Sequence, residues 1–294
     1  MAKKKPKTVD LPFRQTMHSR NVCKVEIDMV PNSSWEQWFL IRSDAHWDNP
    51  HCNRKLEELH LKQAVDRKAG IIDLGDLFCV MQGKYDPRKR LGDVRIEHHG
   101  ENYLDLIQDD AINYYSPYAH NWITMGKGNH EGSILNRCGV NLNNNLAMRL
   151  NERTGSNIQP MGYTQWVWFQ FKASTRVYRR IFWGIHGYGG GGPVTHDMIQ
   201  AQRQSAYVDA DIKASGHVHR HWTSRTMRVG LSHHGEVTQR ECLYLKTSTY
   251  KDEYGCGENG FHIETGKDPR PLGATWIRFS LRDNDIHTEA MMAT

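Results

Sequence analysis

Short apolar runs that end in polar residues recur along this 294-residue chain. Residues 38–41, 71–74 and 121–125 are short, apolar and bounded by polar residues, which is typical of buried strands. Residues 23–30 alternate apolar and polar side chains, and this pattern predicts a half-buried strand. The first half of the chain therefore predicts a sheet with several short buried strands.

Apolar positions with helical spacing occupy the intervals between these strands. The pattern predicts helices at 54–68, 102–114, 141–154 and 193–206, the last starting near Thr195. A strand at 38–41, a helix at 54–68 and a strand at 71–74 form a βαβ unit. Its two strands are predicted to be parallel neighbours with a right-handed crossover.

The second half of the chain is richer in strands. Residues 165–171 and 176–185 predict a hairpin, and residues 211–215 predict a further strand. The remaining sequence alternates strand-like runs with a long glycine-rich loop at 251–273.

The domain organisation follows from the absence of an internal repeat or a clear linker in the sequence. Residues 21–294 are predicted to form a single domain with two sheets. Residues 1–20 begin with a lysine-rich stretch and are expected to be a basic, disordered tail.

Composition limits the classes of protein. Hydrophobic residues make up 38 % and charged residues 24 %, as in ordinary globular proteins. No apolar run approaches the roughly 20 residues of a membrane span. The net charge of +5 is compatible with an anionic partner. The six cysteines form no C-x-x-C pair, which favours free thiols in a reducing compartment and a cytoplasmic location.

Histidine is abundant, with 17 residues, and several of these lie in polar clusters that directly follow predicted strands. The clusters are Asp44-x-His46, Gly75-Asp76, Gly128-Asn129-His130-Glu131, His186 and Gly216-His217-x-His219. Open α/β sheets bind their ligands at the carboxyl ends of strands, so these side chains are expected to meet there.

The donor types indicate a metal site. In Asp44-x-His46 and His217-x-His219 the donors stand two residues apart, and on an extended segment such side chains point to one side. Oxygen and imidazole donors without cysteine favour Mn, Fe, Co or Zn. The seven candidate ligands are Asp44, His46, Asp76, Asn129, His186, His217 and His219. One open catalytic ion needs about three protein ligands, so seven suit two ions that share a carboxylate.

These five motifs, in this order from Asp44 to His219, resemble the calcineurin-like metallophosphoesterase superfamily. The resemblance implies an α/β fold, a four-layer αββα sandwich of two mixed sheets, and hydrolysis of phosphoesters by a hydroxide that bridges two metal ions. It also implies that His130 faces the substrate and either protonates the leaving oxygen or stabilises the transition state. One ion would be held by Asp44, His46, Asp76 and His219. The other would be held by Asp76, Asn129, His186 and His217, with Asp76 bridging.

The chain departs from the Ser/Thr protein phosphatases of this superfamily, in which the motif continues as G-D-x-x-D-R-G. Here Gly75-Asp76 is followed by Leu-Phe-Cys-Val-Met, so the second acid and the arginine are missing. This counts against a protein phosphatase. Asp73 is interpreted as a strand-end cap or as support for a ligand, and Glu131 as a helix cap or a group that orients a ligand.

Lys127 and Arg220 flank ligand motifs and are candidate phosphate contacts, with solvated surface charges as the alternative. The leading hypothesis is a dinuclear phosphoester hydrolase that uses Mn, with Fe, Zn or Co as alternatives. The basic balance and the aromatic content favour a phosphodiesterase or nuclease with nucleic acid as partner. The alternatives are a phosphomonoesterase acting on a small molecule and a non-catalytic scaffold. The complete donor set and His130 count against the scaffold.

Overall fold

The computed structural model describes residues 10–81, 91–190, 192, 194–255 and 260–294. The strands in these residues are β1 (Phe13–Ser19), β2 (Val22–Asp28), β3 (Glu36–Arg42), β4 (Gly70–Asp73), β5 (Trp122–Met125), β6 (Gln159–Pro160), β7 (Thr164–Lys172), β8 (Val177–Ile185), β9 (Ile212–Ser215), β10 (Trp222–Leu231), β11 (Val237–Lys246), β12 (Thr275–Arg282) and β13 (Asp285–Met292). The α-helices are α1 (Arg54–Asp66), α2 (Tyr103–Tyr115), α3 (Asn129–Cys138), α4 (Leu142–Thr154), α5 (Met198–Ser205) and α6 (Phe261–Glu264). Short 3₁₀ helices cover Leu91–Asp93, Ile96–His98 and Ser116–Asn121.

The strands form two mixed sheets. The seven-stranded sheet has the order β1-β2-β7-β8-β9-β11-β10, and the six-stranded sheet has the order β13-β12-β3-β4-β5-β6. β3, β4, β5 and β6 run parallel, whereas β12 and β13 pair antiparallel beside them. In the other sheet β8 and β9 are parallel. Strands β3 and β4 with α1 between them form the predicted βαβ unit.

Aromatic side chains fill the space between the sheets. Phe39 of β3 and Phe279 of β12 come from one sheet, and Phe169 of β7 comes from the other. The Phe39 and Phe169 ring centroids are 4.8 Å apart, and those of Phe169 and Phe279 are 5.2 Å apart. Such contacts bury large apolar areas and fix how the sheets face each other.

Helices cover the outer faces of both sheets. Apolar side chains of α1, α2 and α4 pack on the six-stranded sheet, where Trp122 of β5 is fully buried. On the other side Ala201 of α5 contacts Tyr244 of β11 in a smaller cluster. The result is the αββα sandwich that the motifs imply, with one thin outer layer.

The N-terminal region corrects one expectation. Residues 1–20 were expected to be a disordered tail, but residues 13–19 form β1 and pair antiparallel with β2. Phe13 and Gln15 are buried, and the Gln15 amide donates to the carbonyl of Trp122. The buried Gln15 obscures the alternation of buried and exposed positions in β1, because a polar residue in a sequence indicates an exposed position. Residues 1–9 lie outside the described part of the chain.

Two helices begin where the pattern did not place them. The fourth predicted helix was expected to start near Thr195, but α5 begins at Met198 because His196 and Asp197 adopt positive φ angles of 48° and 71°. Helix α3 was not predicted at all. It begins directly at the polar cluster that follows β5.

None of the helices in the described residues has the length and apolarity that crossing a membrane requires. The five cysteines within those residues are free thiols, as expected, and Cys256 lies outside the described residues.

A buried group of charges lies at the ends of β3 and β4. The Arg42 guanidinium is 2.8 Å from the Glu57 carboxylate of α1 and 3.0 Å from that of Asp73, and all three side chains are fully buried. The Arg42 guanidinium also lies 5.0 Å from the centre of the Trp122 ring. Arg42 therefore connects α1 to β3 and β4. These two strands each precede candidate ligands.

Replacing Arg42 with methionine is expected to lower the free energy of unfolding by about 3–5 kcal/mol, because two buried carboxylates lose their counter-charge. Urea denaturation measures the change. Arg14→Met is the matched control, since Arg14 is largely exposed where it pairs with Glu26, and a change within about 1 kcal/mol is expected there. Equal changes in the two variants would contradict the role given to the buried group.

Candidate metal centre

The candidate ligands meet where strands from both sheets end. Asp44 and His46 follow β3, Asp76 follows β4, and Asn129 is the first residue of α3 after β5. These three strands are parallel neighbours, so their carboxyl ends share one edge. In the other sheet His186 follows β8, and His217 and His219 follow its parallel neighbour β9.

Backbone hydrogen bonds continue beyond the strand ends and hold the ligand loops together. The Asp44 amide donates to the Gly75 carbonyl at 2.9 Å, and the His46 amide donates to the Asp76 carbonyl at 3.0 Å. In the other sheet the Gly216 amide donates to the His186 carbonyl at 2.9 Å. Each sheet therefore delivers its ligands on loops that are themselves paired.

One hydrogen bond connects the two sets of loops. The backbone amide of His217 donates to Asp44 Oδ2 at 2.8 Å. The other oxygen, Oδ1, lies 3.3 Å from His219 Nε2 and 3.9 Å from His46 Nε2. The Asp44 side chain is thus oriented by one sheet's backbone toward the imidazoles of both sheets.

The backbone at these ligands is left-handed rather than extended. The φ angles of the ligands concerned are 53° at Asp44, 47° at His46, 52° at Asp76, 73° at His217 and 58° at His219. The expectation that extended segments bring D-x-H and H-x-H donors together was therefore wrong in its geometry. Non-glycine residues seldom adopt this conformation, and it concentrates at functional sites.

The donors form two groups. Asp44, His46 and His219 each place one donor atom within 4.8 Å of the others, and Asp76, His186 and His217 do the same. In the first group the two imidazole Nε2 atoms are 3.2 Å apart.

Asn129 joins the second group. His186 Nε2 lies 3.1 Å from Asp76 Oδ2 and 3.0 Å from Asn129 Oδ1. The structure brings all seven predicted donors to one place.

The charges of the site favour a cation. Although burial alone would raise it, His186 and His219 hold the pKa of Asp44 well below its usual range. Burial lowers the pKa of His186, but Asp76 and Asp44 outweigh it and raise the value to about 9. Asp44 Oδ1 is buried without a hydrogen-bond partner, which is costly for a carboxylate. Converging metal ligands, buried negative charge and a carboxylate oxygen without a hydrogen-bond donor fit a divalent ion.

His130 lies next to both donor groups on the first turn of α3. Its Nδ1 is 2.6 Å from the carbonyl of Cys79, so Nδ1 carries the proton of that hydrogen bond. Its Nε2 is 3.8 Å from Asp76 Oδ2, and its ring centroid is 4.8 Å from that of His46. The Cys79 carbonyl thus fixes which nitrogen of His130 faces the donors.

Glu131 and Asp73 support the ligand loops. The buried Glu131 carboxylate accepts from the amides of Gly128, Asp76 and Phe78, so it caps α3 and orients the Asp76 loop. Both roles considered for Glu131 are therefore present. Asp73 accepts from the Gly75 amide at 2.8 Å as a strand-end cap and also faces Arg42.

A cavity of about 550 Å³ opens beside the donors. His46, Asp76, Asn129, His130, His217 and His219 contribute to its lining. Lys127 and Arg220 are not among its described lining residues. The Arg220 guanidinium instead makes two 3.0 Å hydrogen bonds to the Asp268 carboxylate. Contact of Lys127 or Arg220 with substrate stays a prediction.

The sequence did not identify the outer wall of this cavity. Lys251, His262, Lys267 and Arg270 line it from the segment that the sequence presented only as a glycine-rich loop. The only indication of this wall in the sequence is that the loop contains these four basic residues. Nothing in their spacing relates them to the five motifs.

Glycine precedes three of the ligands. Gly75 packs against the backbone of Gly128, and the other two glycines lie against ligand carboxylates. A Cβ at Gly128 would overlap Asp76 Oδ1 and lie 2.5 Å from the Asp76 amide nitrogen. A Cβ at Gly216 would overlap Ser43 Oγ and lie 2.6 Å from Asp44 Oδ2. Gly128 and Gly216 thus each let their loop approach a carboxylate on a neighbouring loop.

Gly128→Ala is expected to displace the Asp76 carboxylate and weaken Mn²⁺ binding by about tenfold or more, since a group that positions a ligand typically has an effect of this size. Equilibrium dialysis with Mn²⁺ measures it. Gly132→Ala on the same helix is the control, because a Cβ there meets nothing within 4 Å. Unchanged Mn²⁺ affinity in Gly128→Ala would refute the packing argument.

Comparison of the sequence with protein-family models and with curated proteins gives no match. Solved structures do match. Vacuolar Protein Sorting 29 from Cryptosporidium parvum is 14 % identical with a TM-score of 0.38, over 89 % of this chain and 100 % of that chain. A metallophosphoesterase from Sphaerobacter thermophilus is 14 % identical with a TM-score of 0.34, over 88 % and 90 %. GAP50 of Plasmodium, described as the anchor in the inner membrane complex, is 13 % identical with a TM-score of 0.43, over 87 % and 84 %.

At such identities and TM-scores these matches carry no conclusion about activity. The fold is established by the chain's own strand order, in which two mixed sheets bring their ligand-bearing ends together. The αββα architecture of the molecule is the one expected from the resemblance that the five motifs carry.

Proposed function

We propose that this chain is a dinuclear metal-dependent hydrolase of phosphoester bonds with a preference for phosphodiesters, including nucleic acid. One observation carries the proposal. Two groups of donors, Asp44 with His46 and His219, and Asp76 with His186 and His217, lie at the joined edges of the two sheets. His130, which can transfer a proton, adjoins both.

The donor set supports two ions. Asp76 Oδ2 lies 3.1 Å from His186 Nε2 and 3.8 Å from His130 Nε2, and the resemblance assigns Asp76 as the carboxylate that the two ions share. In the proposed assignment one ion takes Asp44, His46, Asp76 and His219. The other takes Asp76, Asn129, His186 and His217. Mn²⁺ fits this oxygen and imidazole set best, and Fe, Zn or Co are the alternatives.

Two divalent ions held by these residues would supply positive charge to a phosphoryl group and would lower the pKa of a bound water toward neutrality. The protein's own contribution is orientation. Backbone amides of His217 and His130 donate to the Asp44 and Asp76 carboxylates and hold each in one rotamer. The buried position of both carboxylates excludes competing solvent from them.

His130 is assigned to the leaving group. With Nδ1–H bonded to the Cys79 carbonyl, the protonated ring presents Nε2–H toward the cavity. From there it donates a proton to the departing oxygen as a general acid. The carbonyl keeps the ring in this orientation in both protonation states, because Nδ1 retains its proton throughout.

The preference for diesters rests on the lining of the cavity and on the sequence. Lys267 and Arg270 add positive charge to the wall. The second acid and the arginine of the protein phosphatases are missing after Asp76. A cavity of about 550 Å³ accommodates more than one phosphate with its substituents.

His130→Ala is expected to keep its Mn²⁺ stoichiometry and lose activity by about 10²–10⁴-fold, because general-acid assistance is removed while the ligands stay in place. Steady-state hydrolysis of bis-p-nitrophenyl phosphate, with metal analysis of the same sample, measures both quantities.

Two further variants complete that experiment. Asp76→Asn is expected to lose both metal and activity, since the shared carboxylate is removed. His287→Ala, on the partly exposed surface of β13, is the matched histidine control and should behave like the parent. Parental activity in His130→Ala would show that the assigned role is wrong.

The substrate class has its own test. With Mn²⁺ added, hydrolysis of bis-p-nitrophenyl phosphate is expected to exceed that of p-nitrophenyl phosphate in kcat/KM. A preference for the monoester would replace the proposal with a phosphomonoesterase. Fewer than about two bound ions together with no hydrolysis of either ester would favour a scaffold.

A further inference from the structure

The wall of the cavity opposite the strand ends comes from a short segment of the chain. Phe261, His262, Lys267 and Arg270 of this segment line the same cavity as the metal-ligand candidates. His262 connects the two regions, since its ring centroid is 5.3 Å from that of His219. A substrate larger than a single phosphate group, bound at the donors, would meet this wall.

Two guanidinium groups share one carboxylate within the wall. Arg220 forms two 3.0 Å hydrogen bonds to Asp268, and Arg270 Nη1 lies 3.0 Å from Asp268 Oδ1. Both arginine side chains are only 7 % exposed, whereas Asp268 is 51 % exposed. One carboxylate cannot neutralise two guanidinium groups, so this cluster keeps an excess positive charge beside the cavity.

Arg270 has an unused donor. Its Nε is buried and has no hydrogen-bond partner, although a buried guanidinium N–H normally has one. Arg270 also lines the cavity, so an anion in the cavity lies next to a guanidinium whose hydrogen-bond donors are not all used.

Lys267 adds to the positive charge. Burial and the neighbouring Arg270 lower the pKa of Lys267, which shows that the two cations repel each other. Lys267 Nζ lies 4.2 Å from the centre of the Phe261 ring, and that ring is half exposed at the cavity.

The remaining charges of the wall largely cancel. Lys251 is neutralised by Glu253 at 2.5 Å, and the carboxylate of Asp93 also lines the cavity. Among the described residues of the wall and the arginine–aspartate cluster behind it, the three cations Arg220, Arg270 and Lys267 then face the two anions Asp268 and Asp93. An incoming anion relieves this excess.

We infer that Arg270 and Lys267 form a second anion subsite, which binds a phosphate adjacent to the one that is cleaved, while the exposed Phe261 ring supports a neighbouring base. This inference rests on the proposed function and narrows its substrate to single-stranded nucleic acid. Arginine binds phosphate through paired N–H donors, and aromatic rings stack on bases of any sequence.

A measurement of oligothymidylate binding tests this inference independently of catalysis. Fluorescence anisotropy of a labelled short oligothymidylate is measured with Mn²⁺ on proteins that carry His130→Ala, so that the probe stays intact. Arg270→Gln is expected to weaken binding about tenfold and to reduce the slope of log K against log salt by about 0.7, the value for one phosphate contact on a single strand. Arg149→Gln is the control, because Arg149 makes a similar ion pair with Asp109 on the outer surface.

Asp268→Asn tests the same subsite in the opposite direction. Removing this exposed negative charge releases both guanidinium groups, so binding of the oligothymidylate is expected to tighten about threefold or more. A purely structural role for the cluster predicts weaker binding in both Asp268→Asn and Arg270→Gln. That result, or equal affinities of Arg270→Gln and Arg149→Gln, would overturn the inference.

Hydrolysis by the active protein gives the final distinction. In Arg270→Gln the ratio of kcat/KM for the oligothymidylate to that for bis-p-nitrophenyl phosphate is expected to fall about tenfold. An unchanged ratio would contradict the second subsite and leave the proposed hydrolase intact. If the parent hydrolyses neither compound, the proposed function fails, and the anisotropy series still decides whether the wall binds phosphate.

Discussion

The structure depends on keeping two carboxylates, Asp44 and Asp76, buried at one place. In a medium of low polarity a carboxylate needs donors or a cation, and the surrounding loops supply the donors. The amide of His217 reaches Asp44 and that of His130 reaches Asp76. To form this arrangement, the backbone adopts left-handed φ angles at five ligands. At Gly128 and Gly216 it also comes close to the neighbouring loops that carry Asp76 and Asp44.

A second buried charge group lies at the ends of the same strands, two residues before Asp44 and three residues before Asp76. Arg42 ends β3 and Asp73 ends β4, so their ion pair joins the same two strands whose next residues lead to Asp44 and Asp76. Glu57 ties this pair to the crossover helix. Arg42 is thus already paired within the six-stranded sheet. The positive charge that the Asp44 and Asp76 carboxylates need has to come from another group.

The sequence predicts the parts of the site that obey local rules. Buried strands are recognised by apolar runs, and donors placed directly after them are recognised by position, which is why all seven candidate ligands meet as expected. Left-handed φ angles at Asp44 and His217 are only weakly indicated by residue type, because Asp and His favour this region over other non-glycine residues but seldom adopt it. Strand β1 was missed because Gln15 is buried through a tertiary hydrogen bond. The basic wall at Lys267 and Arg270 arises from the path of a loop, which hydrophobic periodicity does not encode.

The hydrogen bond between His217 and Asp44 has a consequence for folding. It joins residues separated by 173 positions, as does the contact between His46 and His219. Contacts of such long range form only after much of the chain has been ordered, because closing a large loop costs entropy before the contact is gained. A ribosome-bound chain that ends before β9 therefore lacks His217 and His219, two of the seven candidate ligands. The complete set of candidate ligands assembles late in folding.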